Sequence, residues 1–117
     1  MKKPGLILIL FFMAKIMFSQ PVCTADSLRY FEGKVITVCS NVTSTFVAKQ
    51  NKTTFITFGD LPAQKFTVII FPEDLKNFSY TPAEFLQGRE VCIIGDVRMT
   101  NGGIEIIVES EEQILLN

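Results

Sequence analysis

The chain has 117 residues, which is room for one domain, and its 48% hydrophobic content can supply a core. Its 11 basic and 12 acidic residues nearly balance, and histidine is absent. The balance excludes a strongly basic protein that binds nucleic acid through charge alone. Without histidine, the usual proton shuttle of catalysis near neutral pH is missing.

The first 19 residues have the pattern of a secretory signal peptide. Lys2 and Lys3 come before an apolar run at residues 5–12. Because Lys15 interrupts the apolar stretch, that stretch is shorter than the roughly 20 residues that span a bilayer. Its length therefore favours a cleaved signal peptide over an uncleaved membrane anchor. Removal of residues 1–19 leaves 8 basic against 12 acidic residues, a net charge of −4. We therefore expect a secreted or periplasmic protein.

Three strands are predicted in the first part of the exported chain. An N-terminal segment, residues 20–32, comes before them, and its residues 24–32 favour a short helical turn capped by Thr24 or Asp26. Beyond Gly33, β-branched residues alternate with polar ones. The predicted strands are residues 34–42, 53–58 and 65–71, with a polar connection at residues 43–52.

A helix and a hairpin are predicted in the second part. Asp74 is placed to cap a turn that runs to Phe78. Residues 81–88 carry a cap threonine, a proline at the first helical position and a glycine after the end, which indicates a short helix. The final strands are predicted at residues 90–99 and 104–109. Between them, Asn101-Gly102 favours a tight turn because this pair adopts positive φ angles.

The resulting order of elements is β-β-β-α-β-β, which makes the fold class all-β. Short strands with one small helix to cover them bury their apolar faces best by curling into a barrel. We therefore expect a signal peptide at residues 1–19, the N-terminal segment at residues 20–32 and a barrel domain at residues 33–115.

Six motifs follow one another along residues 25–115. They are Gly33-Lys34-x-Ile36-Thr37-Val38-Cys39, Thr54-Phe55-Ile56-Thr57-Phe58-Gly59, Phe66-Thr67-Val68-Ile69-Ile70-Phe71, Gly88-Arg89-x-Val91-Cys92-Ile93-x-Gly95, Asn101-Gly102-Gly103-Ile104-Glu105-Ile106 and Ser110-x-x-Gln113-Ile114. In this order they resemble a bacterial family of small exported OB-fold domains, although Ser40 stands where glycine is common and Thr57 where asparagine is. The resemblance implies a five-stranded OB-fold barrel. It also implies nucleic-acid binding, because such domains, alone or attached to secreted nucleases, are usually described that way.

A ligand face is expected on the second and third strands, where OB-folds bind chains. Alternation sends Ile56, Phe58, Phe66, Val68 and Ile70 inward and their neighbours outward. The predicted ligand-binding residues are the outward Phe55, Thr57, Thr67, Ile69 and Phe71, with Lys49, Lys52, Lys65 and Arg98 around them. The two phenylalanines would stack on bases or sugar rings. The alternative is that the N-terminal segment, the tail or a second copy covers this face.

The cysteines favour one disulfide. In an OB-fold the first and fourth strands are adjacent and antiparallel, so Cys39 and Cys92 would lie opposite each other. The alternative is two unpaired strand cysteines. Cys23 is left as a free or intermolecular thiol. No metal site is expected, because histidine is absent and the cysteines lie at least 16 positions apart.

We expect a binding module, not an enzyme, with no cofactor. The adjacent carboxylates at residues 73–74 and 111–112 point in different directions, and no phosphate-cradling glycine motif occurs. The leading ligand is single-stranded nucleic acid. The alternative is an envelope interaction or structural protein that binds a protein or a glycan.

Overall fold

Seven strands form a sheet that closes on itself within residues 21–116, the part of the chain that this computed structural model describes. The strands are β1 (Val22–Cys23), β2 (Val35–Val47), β3 (Thr54–Phe58), β4 (Phe66–Ile70), β5 (Glu90–Thr100), β6 (Gly103–Ile107) and β7 (Ile114–Leu116). The predicted signal peptide, residues 1–19, lies outside the described residues.

Five of these strands close the barrel. The pairings run β2–β3–β4–β6–β5, and β5 returns to β2. The β4–β6 pair is parallel and the other four are antiparallel. This closed five-stranded barrel is an OB-fold, so the predicted fold class is confirmed.

Two short strands cover edges that barrel closure leaves open. The first halves of β2 and β5 pair with each other. The free side of β2 then receives β1 in parallel, with Val22 opposite Thr37, and the free side of β5 receives β7, with Ile114 opposite Ile93. Neither strand was predicted, because each is too short to show alternation. Both supply backbone partners to edges that would otherwise be unpaired.

The first barrel strand is longer than predicted. It runs to Val47, so the prediction of a polar connection was wrong for residues 43–47. A register shift between Val42 and Ser44 bends β2 away from β5 and onto β3, and the Thr43 hydroxyl donates to the Thr57 carbonyl oxygen at 3.1 Å. Polar side chains are tolerated here because the outer face is solvated. The other four predicted strands are present, with ends shifted by one or two residues.

The connections form short helices, as the proline positions favour. The 3-10 helices are Ala25–Phe31, Pro62–Gln64, Pro72–Asn77 and Glu111–Gln113, and helix α1 is Pro82–Phe85. Thr24 and Thr81 occupy cap positions without side-chain capping bonds, and Asp26 lies in a first turn. The prediction that Asp74 caps its turn was wrong, because the cap position is Phe71. Pro72 already presets φ for the first turn.

The β5–β6 hairpin forms as predicted, but its turn differs. Thr100 pairs with Gly103, and the positive φ lies on Gly103, at 116°, not on Asn101 or Gly102. Glycine suits that position because it adopts a positive φ at little steric cost.

The core fills the barrel and extends beneath two of the connections. All five residues predicted to point inward are buried, and the Phe58 and Phe66 rings stack with centroids 4.5 Å apart. Leu28 and Leu86 bring the N-terminal 3-10 helix and the end of α1 onto the barrel, and both are fully buried. Burying a leucine contributes roughly 1.5–3 kcal/mol, so these contacts tie both segments down.

Candidate functional site

The outer face of the barrel carries a row of apolar side chains across four strands, which we call the apolar row. Phe46 on β2 is aligned with Phe55 on β3, Phe55 with Ile69 on β4, and Ile69 with Ile107 on β6. Aligned residues on paired strands project to the same side. The Phe46 and Phe55 ring centroids lie 6.3 Å apart. The row therefore begins with two neighbouring aromatic rings.

A second row, which we call the polar row, runs parallel to the apolar row and is displaced from it by two residues along the strands. Its members, each aligned with the next, are Ser44, Thr57, Thr67, Glu105 and Arg98. The two rows lie about 7 Å apart, since a strand rises about 3.3 Å per residue. Together they offer apolar surface beside hydroxyl, carboxylate and guanidinium groups.

The structure places four of the five predicted strand residues on this face, but unequally. Phe55, Thr57 and Thr67 are half-buried, while Ile69 keeps only 8% of its surface exposed between its neighbours in the apolar row. Phe71 lies beyond the end of β4 and is 37% exposed. Less of the Ile69 side chain is therefore available to a ligand than simple alternation predicts.

Phe46 is the most exposed aromatic residue of the apolar row, at 62%, and the sequence analysis missed it. Residues 43–52 were interpreted as a polar connection, so no strand face was assigned to them. Ser44 and Phe46 keep the two-residue spacing of a strand, and this was the signal that could have revealed the face.

The predicted basic residues do not form one cluster. Lys49 and Lys52 are exposed in the turn between β2 and β3, where Lys52 has a φ of 62°. Lys65 lies before β4, at the opposite end of that strand from Phe71, about 20 Å away for six strand residues. Arg98 belongs to the polar row. The cations therefore flank the face at both ends.

A cleft of about 460 Å³ lies at the hairpin end of the face. The polar row reaches it through Thr57 and Thr67, and Lys65 lines it as well. Arg29 enters from the 3-10 helix Ala25–Phe31, which the buried Leu28 anchors. The Arg29 guanidinium lies 5.9 Å from the centroid of the Tyr30 ring, which is 75% exposed. Sequence reasoning missed Arg29 because it lies outside the predicted barrel.

The cysteines pair as predicted, away from this face. Cys39 and Cys92 are aligned on β2 and β5 and form a disulfide. Cys23 is free and partly buried. Burial raises the pKa of the Cys23 thiol, and a hydrogen bond with Ser27 partly opposes that rise. The disulfide supports the part of the barrel where β2 and β5 meet.

Within residues 21–116, no three histidine, cysteine or acidic side chains come together as metal ligands would. The helices found there are all too short, or not apolar enough, to cross a membrane.

Comparison with known proteins finds similarity in structure but not in sequence. No family model matches the chain. A search of curated proteins finds no match either. Among solved structures, the protein is similar to the hypothetical protein ygiW from E. coli, with a TM-score of 0.55 and 18% identity over 82% of this chain and 89% of that one. The likeness is one of fold.

Two other similar structures belong to larger assemblies or chains. The aspartyl tRNA synthetase from Entamoeba histolytica gives a TM-score of 0.58 with 14% identity over 83% of this chain. The S. pombe Stn1-ten1 complex gives 0.52 with 17% identity over 65% of this chain. The chain spans 21% of the synthetase chain and 54% of the other.

Proposed function

We propose that this protein is an exported, non-catalytic module that binds single-stranded nucleic acid weakly across the apolar and polar rows. The observation that carries the proposal is the exposed Phe46 ring, aligned with Phe55 at 6.3 Å and continued by Ile69. Every base has a flat π face, and stacking on an aromatic side chain is worth about 1–3 kcal/mol per base.

The charge distribution supports weak binding. Arg98 lies in the polar row, Lys65 borders it, and Lys49 and Lys52 lie in the turn that follows Phe46. The exported chain has a net charge of −4. Because phosphate neutralisation supplies most nucleic-acid affinity, a small number of cations on an acidic domain gives modest affinity that falls as salt rises.

Export is supported by the disulfide and by the predicted signal peptide. Disulfides persist in the periplasm and outside cells, and Cys39–Cys92 is such a bond. The signal-peptide pattern of residues 1–19 also indicates export. A secreted or periplasmic location follows as part of the proposal.

The test is a titration of the exported chain with a fluorescein-labelled 12-mer of deoxythymidine, followed by anisotropy at low and moderate salt. The chain has no tryptophan, so a labelled ligand is needed. We expect Phe46→Ala and Phe55→Ala each to weaken binding about 5- to 150-fold, which is the stacking energy expressed as an affinity ratio. Leu115→Ala is the control, because Leu115 is 46% exposed and aligned with Cys92 on another part of the surface.

Two results would contradict the proposal. One is the absence of binding to single-stranded DNA and RNA at low salt. The other is an equal loss of affinity in Leu115→Ala, which would mean that the effect is not specific to the apolar row.

A second candidate function is favoured by the exposed ring of Phe46 near the end of β2. Phe46 is 62% exposed, which suits a contact with a protein or a glycan of the envelope. This candidate predicts no response to oligonucleotides. It also predicts that Phe46→Ala or Phe71→Ala abolishes self-association or the binding of an added polysaccharide.

A further inference from the structure

We infer that the cleft between the N-terminal 3-10 helix and the β5–β6 hairpin is a phosphate subsite that holds one backbone phosphate of the bound strand. The inference rests on the proposed function and extends it to residues outside the barrel. Its ligand is a phosphodiester, and its main cationic groups are Arg29 and Lys65.

The charged residues are distributed unevenly around the cleft. Residues 21–116 hold 8 basic and 12 acidic residues. The described lining of the cleft contains two of the basic ones, Arg29 and Lys65, and none of the acidic ones. In a domain with excess negative charge, a concave site with only cationic charged groups in its lining is a local attraction for anions.

The hydrogen-bond donors that line the cleft suit a phosphate. The guanidinium of Arg29 presents N–H donors in a planar fork that matches two phosphate oxygens, and Lys65 adds a point charge. Thr57 and Thr67, aligned on adjacent strands, bring hydroxyl groups to the same cleft. These four side chains together supply both positive charge and hydrogen-bond donors to a tetrahedral anion.

The cleft adjoins the proposed binding face. Thr57 and Thr67 belong to the polar row and also line the cleft, so the cleft is continuous with the proposed binding face. Phe55 and Ile69 of the apolar row lie two residues away on the same strands, about 7 Å along them. A base on the apolar row and its neighbouring phosphate in the cleft can therefore belong to one strand.

The Glu105 carboxylate lies at the rim of the cleft and provides a further test of the inference. An oxygen of Glu105 lies 3.7 Å from the point that a Cβ on Gly102 would occupy, and Gly102 lines the cleft. Glu105 is aligned with Arg98 on one side and Thr67 on the other. Its negative charge opposes an anion in the cleft, so its removal should strengthen binding.

The experiment measures affinity for the labelled 12-mer across a salt series with four variants. We expect Arg29→Gln and Lys65→Gln each to reduce the slope of log K against log salt by about 0.7, because each contact with a single strand releases about that fraction of a counterion. Glu105→Gln should bind more tightly than the unsubstituted protein. Lys76→Gln is the matched charge control, since Lys76 is exposed on the 3-10 helix Pro72–Asn77 and does not line the cleft.

The outcomes separate the inference from the proposed function. If the oligonucleotide binds but Arg29→Gln and Lys65→Gln behave like Lys76→Gln, the cleft is not a phosphate subsite and the face can still bind bases. If the oligonucleotide does not bind at all, the proposed function fails. Inorganic phosphate then tests the cleft, because it should shift the Gly102 and Gly103 amide resonances of the unsubstituted protein but not those of the Arg29→Gln/Lys65→Gln double variant. Absence of those shifts overturns the inference as well.

Discussion

Cys39 and Cys92 lie directly opposite each other on β2 and β5, and their sulfur atoms form a disulfide across the pairing that closes the barrel. The bond links residues 53 positions apart. Cys39 is exposed and Cys92 is half-buried. The covalent link thus lies at the contact between the two longest strands.

The double substitution Cys39→Ser/Cys92→Ser should lower the free energy of unfolding by about 4 kcal/mol in the chain-entropy model, because the unfolded chain regains the freedom of a closed loop of this length. Urea unfolding measures the change. Reduction of the unsubstituted protein should have a similar effect, and Cys23→Ser should have none. Equal stability of the oxidised and reduced proteins would contradict the prediction.

Gly59 should tolerate no side chain. Its φ is +89°, and a Cβ there would overlap the backbone carbonyl of Gln64. Gly33 has a similar φ, +81°, but open space around it. We expect Gly33→Ala to cost about 1–2 kcal/mol from backbone strain alone. Gly59→Ala should cost clearly more in the same urea unfolding experiment. Equal costs would show that the connection at residues 59–65 moves to accept the methyl group.

The stacked pair Phe58–Phe66 should dominate stability, while Phe46 should matter only for binding. Phe58 is fully buried and its ring lies within 4° of parallel to that of Phe66. Phe58→Ala should lower the free energy of unfolding by about 3–5 kcal/mol because it leaves a cavity. Phe46→Ala, at a 62% exposed position, should change it by less than about 0.5 kcal/mol. A large thermal destabilisation by Phe46→Ala would show that its ring supports the fold.

Tyr80 carries a buried hydroxyl without a hydrogen-bond partner in the described part of the chain. Its ring lies 4.5 Å from that of Phe85 and 5.6 Å from that of Phe78. Burial is the main reason that the pKa of Tyr80 is raised above 10.0, and the Glu111 carboxylate adds to the rise. Glu111 also accepts a hydrogen bond from the Ser79 backbone N–H at 2.5 Å.

Absorbance titration of the Tyr30→Phe variant isolates Tyr80, since the chain has two tyrosines. We expect a midpoint above pH 10 that falls when Glu111→Gln is added, yet stays above 10 because burial remains. The unfolded chain ionises this tyrosine first, so folding stability should decline as the pH rises from 10 through the higher folded pKa. A midpoint at or below 10 would contradict the assignment.

Tyr80→Phe should reduce that decline at high pH, while Cys23, whose thiol pKa burial also raises, contributes a decline of its own. The substitution should also raise the free energy of unfolding at neutral pH by about 1 kcal/mol, because the unpaired buried hydroxyl is lost. Urea unfolding at pH 7 and at pH 10.5 measures both effects. Destabilisation at pH 7 would mean that the hydroxyl has a partner in solution.

Much of the barrel could be predicted because the sequence patterns that indicate its strands and turns involve residues close together in the chain. Two-residue alternation identified the inward Ile56, Phe58 and Val68, and the Asn101-Gly102 pair located the final hairpin. The resemblance then supplied the neighbours of each strand and, through them, the Cys39–Cys92 pairing. The bend at Ser44 could not be predicted, because a register shift depends on which strand lies alongside.

The order of the five barrel strands along the chain, the inward side chains of β3 and β4 and the position of the final hairpin were determined by the sequence alone, since each depends on residues a few positions apart. Only the tertiary structure decided that Phe46 aligns with Phe55, that Arg29 reaches the cleft and that Ile114 docks on Ile93. Alternation assigns a side chain to a face of its own strand, whereas the register between distant strands depends on how the whole barrel packs. The candidate binding surface consists of such alignments, so it became visible only in the folded chain.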